Sequence, residues 1–331
     1  MKKILFFVSV FPFLISLFLC SCSFKGGDIS DLQEQLEQFE YVEYQDDFDQ
    51  EERSDQTEEK ISEIVIATYN TELFFDTVCD SGYCSKNDFE KQLTVKEYSK
   101  KIKDIADAIK LIDADIVLLQ EVEKQSCLDD LIEELDFLYT DSYLAQKGGP
   151  GSINTAVITK GQILLTKKHL DPIPLPQGGT TSFTRAFLEA EINYGNRNII
   201  VFSAHFKSKF NDDPDRRLAE AEAALKIIME SASINGDTHL VVLGGDLNDT
   251  PGSPPIDTLE KSPMLLRVAS ELPEEDQATY WYDGPIAIDH LFHIQNGRGS
   301  YKKGSAEVIR DHGAYTLISS DHAALKATFI F

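Results

Sequence analysis

The sequence predicts a mixed α/β sandwich in which helices cover two packed β-sheets. Short, wholly apolar runs rich in β-branched residues recur along the chain, as strands buried on both faces require. Helical periodicities between those runs are few, so strands outnumber helices. At 331 residues and 42% apolar content the chain buries one large core and carries an appendage, and no internal repeat is visible.

The appendage comes first. Lys2 and Lys3 precede an apolar run from Ile4 to Leu19 that ends in Leu19-Cys20-Ser21-Cys22, the pattern of an export signal. A small residue directly before a cysteine resembles a bacterial lipobox and points to Cys22 as the lipidated residue; Cys20 follows the bulky Leu19. Residues 1–22 are therefore expected to direct export and to anchor the mature chain to a membrane, on the periplasmic side or at the cell surface. Residues 23–60 crowd Asp, Glu and Gln around sparse apolar positions, as a solvated tether does, although Leu32, Leu36 and Phe39 fall at helical spacing. The folded domain is expected over 61–331.

Within it, Ser62–Thr68 reads as a strand with Asn70 just past its end. Tyr98, Ile102, Ile105, Ile109 and Ile112 recur at steps of three and four, which predicts an amphipathic helix over Lys96–Ile112. Ile116–Leu119 is a short apolar strand running into Gln120-Glu121, and a helix over Leu128–Leu135 follows. Further strands are read at 154–159, 185–192, 198–204, 240–243, 286–291 and 323–331, with Asn193–Asn196 as a hairpin turn. Pro214 opens a second strong helix to about Met229, with Leu218, Ala221, Leu225 and Ile228 on one stripe.

The chemistry is positional. Asn70, Glu121, His205, Asp246 and Asp289 each stand at or just past the end of an apolar run. Any one of them is an ordinary turn residue. Together they imply a shared polar cleft, because a carboxylate at the edge of a core is costly unless bonded, paired or bound to a cation. Leu243-Gly244-Gly245-Asp246-Leu247-Asn248 runs a strand through two glycines into a carboxylate and a carboxamide. Ser319-Ser320-Asp321-His322 and Ile288-Asp289-His290 each supply an acid and an imidazole, and Asp289 with His322 is the preferred pair. His290, on the opposite face of its strand, is read as structural. His169, His239, His293 and His312 receive no role. Cys79 and Cys84 are close enough in sequence to close a small loop in an oxidising compartment, and no CxxC-type metal pattern is present.

In order along the chain, TYN, LQEVE, NTAVITK, FTRAFLEAEI, SAHFKSK, GGDLNDTP, IDHLF and SDHAAL resemble the endonuclease/exonuclease/phosphatase superfamily, over Ile64 to Phe329. The resemblance implies a four-layer, deoxyribonuclease I-like α/β sandwich and hydrolysis of a phosphodiester by an activated water. It implies Glu121 as the principal metal ligand, with Asn70 beside the same ion or orienting the nucleophile, and Asp321 near the metal. Asp246 would align or deprotonate the water, Asn248 and His205 would hold the phosphate, and Asp289 would orient His322, which stabilises the developing charge. Arg185 matches a position that contacts phosphate in relatives. The stretch TYNTELFFD is similar to a bacterial branch, but Glu72 stands where that branch has a second Asn, and Phe75 intervenes before Asp76. These donors are hard oxygens, which favours Mg²⁺ with Mn²⁺ able to substitute.

The substrate is less defined. An exported nuclease acting on nucleic acid fits Arg185, Lys207 and Lys209. Yet the net charge is −25, and the chain beyond the tether is itself acidic, so it lacks the footprint of a protein that holds duplex by counterion release alone. A phospholipid-headgroup or sugar-phosphate diesterase is the alternative, and a surface lipoprotein without catalysis the third. Tyr280, Trp281 and Tyr282 before Asp289 either pack or meet substrate. No obligate protein partner is implied.

Overall fold

The computed structural model describes residues 61–331 apart from 282–283, 297, 312–314 and 319. The export signal, Cys22 and the tether expected over residues 1–60 lie outside the described residues, as do Tyr282, His312 and Ser319.

The expected sandwich is present. The strands are β1 (Glu63–Phe74), β2 (Ile116–Val122), β3 (Asp141–Ala145), β4 (Asn154–Thr159), β5 (Gln162–His169), β6 (Ile173–Pro174), β7 (Thr180–Thr181), β8 (Phe187–Tyr194), β9 (Arg197–His205), β10 (His239–Asp246), β11 (Leu265–Arg267), β12 (Tyr280–Trp281), β13 (Pro285–Ile286), β14 (Asp289–Ile294), β15 (Ser300–Tyr301), β16 (Glu307–Ile309) and β17 (Ala324–Ile330). The helices are α1 (Val95–Ile112), α2 (Gln125–Glu134), α3 (Pro214–Asn235) and α4 (Pro254–Glu260). The first sheet runs β15-β17-β1-β2-β4-β3 with β16 also on β17; the second runs β11-β14-β10-β9-β8-β5.

Three apolar layers separate four layers of structure. Ile66, Leu118, Val157, Leu188, Val201, Val242, Leu291 and Phe329 are buried between the sheets. Ile105, Ile109 and Ile112 of α1 and Leu128 and Leu131 of α2 cover the outer face of the first sheet. Ala221, Ala224 and Ile228 of α3 and Ile256 and Leu259 of α4 cover that of the second. Strands buried on both sides explain why the apolar runs do not alternate.

The two sheets share one plan. Each has a parallel couple at its centre, β1 with β2 and β9 with β10, flanked by antiparallel partners, β17 and β4 in one and β14 and β8 in the other. The carboxyl ends of both couples carry the polar residues.

Several boundaries differ from the sequence reading. Strand β1 runs on past Thr68 to Phe74, so Asn70 lies inside it. Asp289 opens β14 instead of closing a strand over 286–291, because Ala287 and Ile288 leave the ladder. Since β14 is antiparallel to β10, Asp289 still arrives at the same edge, directly across from Asp246. Arg185 precedes β8, which begins at Phe187. Helix α3 continues to Asn235, and its buried stripe is Arg217, Ala221, Ala224 and Ile228, with Leu218 and Leu225 only half-buried. The hairpin turn is found, with Gly195 and Asn196 at φ +53° and +57°, the left-handed pair that a two-residue turn demands.

Candidate active site

Each strand end contributes through backbone that glycine or a bulge makes possible. In β10, a Cβ on Gly245 would sit 2.0 Å from the Ala204 carbonyl oxygen, and its φ is +154°, so only glycine lets β10 lie against β9 here. Register then sets Asp246 beside His205 on one side and Asp289 on the other. In the first sheet, the β1–β2 register breaks between Asn70 and Phe74, with Glu72, Leu73 and Glu121 at φ +52°, +49° and +68°. Bulges of this kind re-aim side chains at the cost of strain that the surrounding bonds must offset. The Leu73 N–H donates to Glu121 Oε2 at 2.8 Å, which locks the carboxylate in place.

Asn70 joins the two sheets. Its Nδ2 donates to Asp246 Oδ2 at 3.1 Å and approaches Glu121 Oε1 at 3.5 Å, while its Oδ1 accepts the Glu72 N–H at 3.0 Å. In this orientation the amide aims Asp246, and its oxygen is already engaged. The second Asp246 oxygen accepts the Asn248 N–H at 2.8 Å, and Asn248 Nδ2 donates to the Phe206 carbonyl at 3.2 Å. His205 Nε2 lies 3.5 Å from Asp246 Oδ2 and 3.8 Å from Glu121 Oε1; its Nδ1 is buried without a hydrogen-bond partner.

The expected pair of Asp289 and His322 forms, Nδ1 to Oδ2, at 2.8 Å. His322 Nε2 is then 4.0 Å from Asp246 Oδ2 and 3.7 Å from Asp321 Oδ1. Thr279 Oγ1 accepts the Asp289 N–H at 3.0 Å, Ser320 Oγ accepts the His322 N–H at 2.9 Å and donates to the Asn70 carbonyl at 2.7 Å. The Tyr280 ring lies 4.7 Å from that of His322. The imidazole is thus fixed from three elements.

Burial and charge separate the protonation states. Burial raises the Asp246 carboxyl to about 7, with Asp289 adding to the rise. Burial opposes the His322 cation, yet Asp289, Asp246 and Asp321 outweigh it and hold the imidazole up to about 10. His205 is pushed the other way, well below the ordinary range, by burial and by the cations Arg185 and His322. A base ready to lose its proton near neutrality and a persistent acid across one gap is a proton-handling arrangement.

Arg185 donates through Nη1 to the Phe206 carbonyl at 3.1 Å, and burial lowers its pKa while Glu121 and Asp246 act to raise it, which places its charge in this cleft. Lys207 folds onto the carbonyls of Ser208 and Phe210, and Lys209 Nζ pairs with Asp249 at 3.1 Å. His290 turns away to the Asp249 carbonyl at 2.9 Å, consistent with its structural reading.

Four side chains were given no site role by the sequence. Glu72 of β1 and Lys101 of α1 enter the cleft: burial and then Asp321 raise the Glu72 pKa, and burial lowers that of Lys101 against the opposing pull of Glu72, Asp321 and Glu121. Buried Glu220 of α3 accepts the Thr184 N–H at 2.5 Å and the Lys207 N–H at 2.6 Å. Arg217 Nε donates to Asp249 Oδ2 at 2.9 Å. Helix α3 therefore clamps Thr184, Lys207 and Asp249, each within two residues of Arg185, His205 or Asn248. The donors around Glu121, namely Asp321, Glu72 and the strand-end carboxylates, are hard oxygens with no thiolate among them, a set that suits a hard divalent cation.

A family profile described as the Endonuclease/Exonuclease/phosphatase family matches residues 65–271. Among solved structures, truncated TDP2 from Caenorhabditis elegans is 20% identical, with a TM-score of 0.56 over 81% of this chain and 98% of its own. Sphingomyelinase C from Streptomyces griseocarneus is 16% identical, with a TM-score of 0.54 over 81% and 99%. The human Nocturnin catalytic domain, solved with a sulfate anion, is 14% identical, with a TM-score of 0.59 over 82% and 96%. No curated protein sequence matches the chain.

Proposed function

The chain belongs to the endonuclease/exonuclease/phosphatase family, and on that premise we propose that it is a Mg²⁺-dependent phosphodiester hydrolase, acting outside the cytoplasm on nucleic acid from a lipid anchor at Cys22. The observation that carries the reading is Asp246 standing between two sets of partners, Asn70 and His205 on one side and the Asp289–His322 pair on the other.

Asp246 accepts a proton from the attacking water. Asn70 Nδ2 and the Asn248 N–H hold its two oxygens, so the lone pair that takes the proton has a fixed direction. His322, kept cationic by Asp289, donates through Nε2 to a phosphoryl oxygen as negative charge develops. His205, kept neutral, and Arg185 line the opposite wall and hold the phosphate oxygens. Glu121 and Asp321, with Glu72 beside them, would hold the metal, with Mn²⁺ able to replace Mg²⁺. When bound, such an ion supplies charge neutralisation at the phosphoryl group.

A second reading has its own observation. Trp281 and Tyr315 pack at 4.2 Å while remaining 46% and 50% exposed, next to the strand that carries Tyr280 to His322. Such a rim stacks a base or meets an acyl chain equally well. The discriminating experiment offers the purified chain single-stranded DNA, duplex DNA, RNA, sphingomyelin and phosphoinositides, each with Mg²⁺ and with chelator. Chelator-sensitive cleavage of nucleic acid is expected. Hydrolysis confined to lipid substrates replaces the nuclease reading with the second, and no hydrolysis of any diester ends both.

A further inference from the structure

Away from the cleft, the loop between β1 and α1 holds a second concentration of carboxylates. Asp76, Asp80 and Glu90 come from the loop and Glu123 from just beyond β2, and a disulfide between Cys79 and Cys84 ties the loop together. Glu90 is 2% exposed and Glu123 3%. One oxygen from each of Asp80, Glu90 and Glu123 lies within 4.8 Å of the others.

An acidic cluster on a surface means little. Here two carboxylates are withdrawn from water, and burial of that kind is costly without compensation. The compensation in view is partial. Lys124 Nζ pairs with Asp76 Oδ2 at 2.8 Å and Asp80 Oδ2 at 2.5 Å, and neither Glu90 nor Glu123 is among its ion-pair partners. Glu90 accepts the N–H groups of Asp80 and Ser81 at 2.6 and 2.8 Å. Glu123 Oε2 accepts the Asp76 N–H at 3.0 Å, but Glu123 Oε1 is buried with no hydrogen-bond partner. A buried carboxylate oxygen without a hydrogen-bond partner, on a residue grouped with two further carboxylates, is an arrangement a cation resolves.

We infer that Asp80, Glu90 and Glu123 form a second cation site, separate from the catalytic cleft, and that it takes Ca²⁺. Three hard carboxylate donors, two of them on a disulfide-tied loop, suit Ca²⁺, with its flexible geometry, better than the smaller, strictly octahedral Mg²⁺. The neighbouring Cys127 thiol, which with Asp76 and Glu123 forms an adjoining group of possible donors, would favour a softer metal. Occupation joins the β1–α1 loop to the end of β2 two residues beyond Glu121. The site is thereby a structural fastening for the catalytic strand pair.

The test uses the full chain carrying Glu121→Gln, which weakens the catalytic metal site, after removal of metal by chelator. Equilibrium dialysis against Ca²⁺ is expected to return one bound ion, and added Ca²⁺ to raise Tm and slow proteolysis within residues 75–94. Asp80→Asn and Glu90→Gln, each added to that background, are expected to weaken Ca²⁺ binding by about tenfold or more. Asp80 is exposed, so its substitution does not threaten folding. Absence of bound Ca²⁺ in the Glu121→Gln protein overturns the proposal, as does binding that neither added substitution changes. Retention of Zn²⁺ in place of Ca²⁺, abolished by Cys127→Ser, overturns it as well.

Discussion

The parallel couples at the centres of the two sheets are built alike and equipped differently. At the ends of β1 and β2 the backbone is bulged, three residues have positive φ, and the groups presented are the carboxylates and amide of Glu72, Glu121 and Asn70. At the ends of β9 and β10 the register is unbroken and the groups presented are His205 and Asp246, both nearly inaccessible. The first end is a strained, oxygen-rich holder fitted to a cation. The second is a dry, regular edge where burial displaces two protonation states in opposite directions. In the proposed reaction, charge neutralisation and proton handling are divided between the sheets, whose ends Asn70 links by hydrogen bonding.

The comparison breaks most sharply at Asp246. Asp246→Asn is expected to lower kcat by about 10³–10⁴-fold while Tm is held, because it removes the base and leaves the shape. Steady-state kinetics beside a thermal melt check this, and activity within a few-fold of the parent would remove Asp246 from the mechanism. His322→Ala is expected to cost about 10²–10³-fold, the scale of one donor to a developing oxyanion.

The pH profile sharpens the same half of the molecule. A base must be deprotonated, so kcat/KM falls as pH drops through the Asp246 value, at or below about 7 once a cation in the cleft favours the carboxylate. An acid must be protonated, so kcat/KM falls again as pH rises through the His322 value of about 10. Asp289→Asn removes the strongest support of the imidazolium, and the alkaline limb should move toward neutral pH. An unmoved limb would assign it to another group.

At the other end, Glu121→Gln is expected to weaken activation by Mg²⁺ by about 10–100-fold, with much of the rate restored at high metal concentration. A metal titration of activity reads this directly. Asp246→Asn should not be rescued in that way, and rescue of both or neither would erase the distinction between the sheets. The smallest effect is on stability: Gly245→Ala places a methyl against the Ala204 carbonyl and should cost about 1–3 kcal/mol, read from denaturant melts.

Glu121, His205 and Asp246 were legible because an apolar run interrupted by a polar residue marks the end of a buried strand, and parallel couples bring such ends together. Asp289 was placed at the wrong end of its strand, since hydropathy carries no direction and only pairing with β10 reveals it. Glu220 and Arg217 were invisible, as charged residues on a helix read as its solvent face until Thr184, Lys207 and Asp249 are seen against them. Strand β5 was missed for the opposite reason: an edge strand whose residues mostly face water offers only the short run Ile163-Leu164-Leu165 before Thr166 and two lysines. Lys101 belongs with these, for nothing in the periodicity of α1 separates it from neighbouring lysines.

The direct pairing of Asp246 with Asp289 bears on which insertions and deletions the gene tolerates. Between Arg267 and Asp289 the chain lies outside the second sheet, so a residue gained or lost there leaves the pairing of Asp289 with Asp246 free to form. Inside Asp289–Ile294 the same event shifts every later side chain to the other face and strips His322 of its carboxylate partner, a lesion that the strand's apolar content would conceal.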